Sequence, residues 1–143
     1  MTLEENRAIV RRQFELIQFG DLDTFDKVMA SDVANHALGR IQTGLETFKA
    51  ILQGIRETFP DETVTIDDMI AEDDKVVVRA TLRGTHQGSA LPIFAGIKPE
   101  GRPVEWQFIH IFRVRDGKIV EHWAQRNDLE VRQQLLGPQG GGA

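Results

Sequence analysis

A chain of 143 residues is the length of one domain, and folding at that size buries roughly 68–70% of the extended chain's surface, enough for one core or one sizeable pocket. With 41% hydrophobic and 27% charged residues, charges spread through the first twenty positions and no stretch near 18 apolar residues, it reads as a globular cytoplasmic protein with no signal core and no membrane span. The absence of Cys and Tyr removes disulfides, thiolates, Cys-based zinc sites and a phenolic acid, while a scattered net charge of −5 argues against nucleic acid or an anionic membrane as partner.

Thr2 and Glu5 form a capping box for a first helix with Val10, Phe14 and Ile17 on one face, stopped at Gly20. Asp21 caps a short second helix carrying Leu22, Phe25, Val28 and Met29. Thr43 and Glu46 form another capping box, opening a helix whose stripe is Leu45, Phe48, Leu52, Ile55 and Phe59, closed by Pro60. From there the period changes to two. A strand through Val64, Ile66 and Ile70 turns at Glu72-Asp73-Asp74-Lys75 into a second one opening on Val76-Val77-Val78. Gly88 to Gly101, with two Pro and three Gly, reads as a loop over a pocket mouth. A third strand runs from about Arg102 to Arg115, turns at Asp116-Gly117, and returns as a fourth from about Lys118 to Asn127. A helical turn or two follows Asp128, and the tail from Gly137 to Ala143 is expected to be disordered, leaving one domain over residues 1–136. Helices first and long strands after argue an α+β fold, a curved antiparallel sheet wrapped around N-terminal helices as a cone that holds a small apolar ligand.

The third strand is the richest in chemistry. Val104, Trp106, Phe108, His110, Phe112 and Val114 share one face, so His110 projects among large apolar side chains, as a core histidine or as a polar group in an aromatic pocket. Which partners it meets depends on the hairpin register. A two-residue type I′ turn pairs His110 with Trp123, whereas a type I turn with a bulge at Gly117 pairs it with His122 and Phe108 with Ala124. The bulged register is preferred, because it aligns His110, His122, Ala124, Arg126 and Asp128 with Trp106 and Phe108 and spares Glu121 an unpartnered interior position. His36 and His86 complete four histidines, none at metal-ligand spacing, so no metal site is expected. Asp128 is at least equally suited to capping the last helix, whereas Asp61, Asp73 and Asp74 read as turn chemistry rather than catalysis.

The chain resembles the SnoaL-like polyketide cyclase (ester cyclase) family of the nuclear-transport-factor-2-like superfold. The likeness is carried by Asn35-His36 and Gly44, Phe59-Pro60-Asp61, Asp74 to Arg79, Gly84-Thr85-His86-Gln87-Gly88 and Gly101-Arg102-Pro103-Val104. It continues through His110-Ile111-Phe112-Arg113, Asp116-Gly117-Lys118-Ile119 and Glu121-His122-Trp123 to Asp128. The resemblance implies a conical α+β barrel, usually oligomeric, with a deep apolar pocket, no metal and no organic cofactor, closing polyketide rings by intramolecular aldol condensation. It also implies an acid/base aspartate directly after Glu-His-Trp, where this chain has Ala124, a pocket histidine at His110, and a second polar pocket position at Asn35 or His36.

With no carboxylate at 124, acid/base work is expected of His110, His122 or an inward Asp128, with Asn35, His36, His86, Trp106, Phe108 and Arg126 holding a small, largely apolar carbonyl compound. Two other readings stand beside this one. One is a noncatalytic small-ligand-binding protein; the other is an epoxide-hydrolase-like or dehydratase-like enzyme using Asp128 with Arg126. Outward Ile109 and Ile111, on a sheet with helices on one face only, point to a homodimer or higher homo-oligomer.

Overall fold

A computed structural model describes residues 1–37 and 40–142, with side chains through Gly137. The first helix, α1 (Leu3–Phe19), forms as its sequence dictates: Thr2 Oγ1 accepts the Glu5 N–H at 3.1 Å, the Glu5 carboxylate accepts the Thr2 N–H at 3.3 Å, and Gly20 ends the helix at φ 71°. The short second helix does not form as expected. Leu22–Lys27 is a 3-10 helix, and Met29 already opens strand β1 (Met29–Ala37), which pairs with β2 (Arg40–Thr43). The capping box at Thr43 is absent too. Thr43 is the last residue of β2, opposite Ala34, and Gly44 at φ 110° takes the N-cap position of α2 (Leu45–Thr58) with no side-chain cap.

The two hairpins are β3 (Thr63–Glu72) with β4 (Lys75–Thr85), and β5 (Pro103–Arg115) with β6 (Lys118–Arg126). The six strands make one curled, open sheet in the order β2-β1-β6-β5-β4-β3, antiparallel except where β1 meets β6. That is the expected α+β architecture, with α1 and α2 packed inside the curl. Residues 86–102 hold only a 3-10 turn at Pro92–Phe94, which brings Leu91 against α2. The contact is close enough that a Cβ on Gly54 would lie 3.0 Å from the Leu91 side chain, which accounts for a glycine within a helix. The last helix, α3 (Asp128–Gly142), breaks at Gly137, φ 75°. Of the expected disordered tail, Ala143 and the side chains from Pro138 onward lie outside the described residues.

The β5–β6 register departs from both expectations. Asp116 and Gly117 both have positive φ, 51° and 81°, as a two-residue type I′ turn requires, and Arg115 pairs with Lys118. A bulge then intervenes, since Val114 faces Ile119 while Arg113 faces Glu121, leaving Val120 over. His110 therefore pairs with Ala124, Phe112 with His122 and Phe108 with Arg126. The extra residue restores the parity that puts His122, Ala124 and Arg126 on the face of His110, and Glu121 and Trp123 on the other.

Two apolar clusters fill the curl. One gathers Val10, Phe14, Phe25, Phe48, Val78 and Phe112; the other gathers Phe59, Phe94, Trp106, Val131 and Leu135. Among the described residues no helix is long and apolar enough to cross a membrane.

Candidate functional site

Within the curl lies a cavity of about 180 Å³, walled by Phe14, Phe48, Ile51, Leu52 and Ile55 from the helices, Leu91, Pro92 and Ile93 from the loop, and Phe108 and Phe112 from β5. The loop from Gly88 thus does border the pocket. Polar groups enter this apolar wall at few places: Asn35, His110, His122 and Arg126 on the sheet, Gln13 on α1, and Arg40 and Gln42 on β2.

Strand pleating sets the central group. Asn35 pairs with His122 across β1 and β6, and His122 with Phe112 across β6 and β5, so these three point inward with His110 two residues along. The His122 Nδ1 lies 2.7 Å from Asn35 Oδ1, and its Nε2 lies 2.8 Å from His110 Nδ1. With the Asn35 oxygen accepting, His122 carries its proton on Nδ1 and accepts the His110 Nδ1–H at Nε2, which leaves His110 Nε2 as a lone pair without a protein partner among the described residues. Turning the Asn35 amide over reverses every donor, and His110 Nε2 then carries the proton. The imidazole of His110 is clamped between Phe108, stacked at 5.2 Å, and Phe112 at 5.5 Å, with Phe14 edge-on at 5.5 Å. Burial among these rings, reinforced by the Arg126 cation, pushes its pKa down to about 3. Burial likewise holds His122 well below the usual imidazole range, with repulsion from His110 and His36 adding to it. Both rings are neutral at physiological pH.

Arg126 is a largely enclosed cation at the cavity wall, its side chain 13% exposed. Its Nη2 donates to Asp128 Oδ2 at 2.9 Å, its guanidinium lies 5.1 Å from the centre of the Trp106 ring, and the Trp106 Nε1–H donates to the other Asp128 oxygen at 2.9 Å. Asp128 opens α3 and borders neither the cavity nor His110; its carboxylate is occupied in holding Arg126.

Five of the nine residues singled out from sequence come together at the cavity: Asn35, Phe108, His110, His122 and Arg126. Four lie elsewhere. His36 points to the opposite sheet face, stacked on Trp123 at 4.9 Å and bonded to Glu121 at 2.7 Å, because neighbours along β1 alternate faces. His86 is buried against Phe59 and Phe94. Trp106 lies beneath Arg126 in the second cluster, and Asp128 beside it. Asp61 does turn chemistry, accepting both the Thr85 N–H and its hydroxyl. Among the described residues no three His, Asp or Glu side chains converge as metal ligands. Gln13 and Gln42 were missed. Gln13 is detectable as a polar residue inside the α1 stripe of Val10, Phe14 and Ile17; Gln42 emerges only once β2 pairs with β1.

The model of the SnoaL-like polyketide cyclase family matches residues 7–135. The chain belongs to that family. Solved structures agree with it. IdmH of Streptomyces antibioticus, described as a candidate polyketide cyclase, is 30% identical over 92% of this chain and 99% of its own, with a TM-score of 0.78. A SnoaL-like polyketide cyclase candidate from Jannaschia sp. CCS1 is 26% identical over 94% of both chains, with a TM-score of 0.83. AclR of Streptomyces galilaeus, described as a candidate hydroxylase, is 27% identical over 99% of this chain and 84% of its own, with a TM-score of 0.78. Among curated proteins none matches the chain. In this SnoaL-like protein, Ala124 borders the cavity and faces His110 directly across the β5–β6 ladder, so the position without a carboxylate adjoins the cavity imidazole whose Nε2 is unshared.

Proposed function

We propose that this SnoaL-like protein is a cyclase or isomerase that moves a proton on a small, largely apolar carbonyl compound, without a cofactor and with His110 as the acid/base. The observation that carries the reading is the Asn35–His122–His110 chain, which ends on an unshared imidazole edge at the wall of an apolar cavity beside Arg126. In the aldol form of the reaction, His110 Nε2 takes a proton from the carbon next to a carbonyl, and the enolate oxygen develops its charge against Arg126. The enolate carbon then attacks a second carbonyl of the same molecule. A C–C bond forms, and the resulting alkoxide recovers the proton from His110. No atom is gained or lost.

A histidine with a pKa of about 3 is by itself a weak base. The enolate supplies the negative charge that the site lacks, so imidazolium and enolate form together as a pair in a low-dielectric surround. The same depressed basicity favours a second reading, a cavity that binds a carbonyl compound and does no chemistry. Exchange of the methyl protons of 2-acetonaphthone in D2O, followed by NMR, separates the two. Wild type is expected to accelerate exchange over buffer, and His110→Gln to lose roughly 100-fold of that acceleration; equal rates with and without protein would leave only the binding reading.

Self-association through the outer sheet face completes this reading. Ile41, His36, Trp123, Ile111, Val77 and Ile70 lie in register across all six strands on the face turned away from the helices. Ile41 and Ile70 at its two ends are 61% and 62% exposed, an apolar stripe that a second copy would cover.

A further inference from the structure

The amide of Gln13 takes no part in the proton transfer, yet it lies at the cavity wall. Helix α1 turns Val10, Gln13, Phe14 and Ile17 toward the sheet, and Gln13 is 1% exposed. Among the described residues its Oε1 has no hydrogen-bond partner, although an interior amide oxygen left unpaired is costly. Gln42, bordering the same cavity from β2, also holds an unpartnered Oε1. Of the other polar groups in the wall, Asn35 is bonded to His122, His122 to His110 Nδ1, and Arg126 to Asp128 behind the wall.

We propose that Gln13 is a specificity-determining residue that accepts a hydrogen bond from a hydroxyl of the ligand, so that the cavity selects hydroxyl-bearing rings over the same rings without one. The apolar wall asks for a ring, and an amide oxygen asks for a donor. A carboxylate has no proton to donate there, and an ammonium would enter a space that already holds the Arg126 cation and two neutral imidazoles. A neutral hydroxyl satisfies Gln13 at no such cost, and Gln42 offers a second hydroxyl the same bond. The inference rests on the cavity being the ligand site of the proposed function, and not on the proton transfer itself.

Equilibrium dialysis of 1-naphthol and 1-methylnaphthalene, which differ by hydroxyl against methyl, tests it in wild type, Gln13→Met and His110→Phe. The ratio of the two dissociation constants is expected to move about tenfold toward the methyl compound in Gln13→Met, the worth of one hydrogen bond to a buried group. In His110→Phe the ratio should stay near that of wild type. A ratio unchanged in Gln13→Met but moved in His110→Phe would give the hydroxyl to His110 and overturn the proposal while leaving the acid/base reading intact. Failure of wild type to bind either compound would overturn both. Conversely, a ratio that moves in Gln13→Met with no 2-acetonaphthone exchange in wild type keeps the hydroxyl reading and removes the catalytic one. The thermal midpoint of Gln13→Met should not fall below that of wild type; a drop beyond about 5 °C would mean that the amide is bonded within the folded chain, against the proposal. Gln13→Leu repeats the ratio with a different shape, so the packing of one replacement does not decide it.

Discussion

His110 is neutral because everything around it opposes a charge: two stacked rings, an edge-on Phe14 and the Arg126 cation, with no carboxylate against it. Ala124 is where one would act, since residues directly opposite in an antiparallel pair hold their Cβ atoms about 4.5–5.5 Å apart. Ala124→Asp is therefore expected to raise the His110 pKa, read by NMR titration of the imidazole, and to speed 2-acetonaphthone exchange. An unmoved titration would mean that the new carboxylate does not reach the ring. The depressed histidines also set a pH dependence of stability. Their folded pKa values lie below the unfolded value of about 6.5, so below that pH the unfolded chain binds more protons and stability is lost as pH falls toward the folded values. Removing one such histidine flattens the loss. Urea unfolding at pH 7 and pH 5 should show a drop smaller by about 2 kcal/mol in His110→Gln than in wild type. His86, lowered by burial, and Glu62, raised by it, contribute with opposite signs but are common to both proteins. His110 as an inward group was legible from β5 alternation alone. Its neutrality was not, because that comes from Phe14 on a distant helix and Arg126 on the neighbouring strand.

The β5–β6 hairpin shows what local pattern carries and what it omits. The apolar and polar alternation of β5 and the Asp-Gly turn were readable, and the structure has both. The bulge at Val120 was not, because it shifts register inside a strand where no glycine or proline marks it, and a one-residue shift decides which face His122 takes. Strand β1 was hidden for another reason. Its sequence, with Asp32 and Asn35, is a poor strand former, and it is held by parallel pairing to β6, nearly ninety residues later in the chain. Asp128 looked like a helix cap or an inward acid; at the start of α3 it serves instead as the anchor that ties Arg126 and Trp106 together. Asp128→Asn removes the anchor's charge and leaves one acceptor oxygen for the two donors of Trp106 and Arg126. It should raise KM for a carbonyl substrate more than it lowers kcat if Arg126 mainly holds the oxygen, and lower kcat if Arg126 acts as charge develops. Unchanged kinetic constants would show that Arg126 keeps its place without the carboxylate.

At the scale of the whole molecule, one open sheet separates two surfaces of different use. The inner face, closed over by α1, α2 and the loop through Leu91, holds the cavity; the outer carries the apolar stripe from Ile41 to Ile70. Wild type is expected to sediment as a dimer and Ile111→Lys, in the middle of the stripe, as a monomer with the cavity intact. A monomeric wild type at tens of micromolar would place the stripe outside any stable interface. Membership of the SnoaL-like family carries the fold across the chain, but solved relatives described as a candidate cyclase and a candidate hydroxylase share that fold, so the chemistry must be argued from the cavity. The most direct test of that argument is the pH profile of His110-dependent exchange, the wild-type rate on 2-acetonaphthone less the His110→Gln rate, between pH 4.5 and 8. A neutral histidine whose pKa is pushed down to about 3 predicts a rate that stays level down to pH 4.5. A rate that falls through pH 6.5, or no difference between the two proteins, would contradict it.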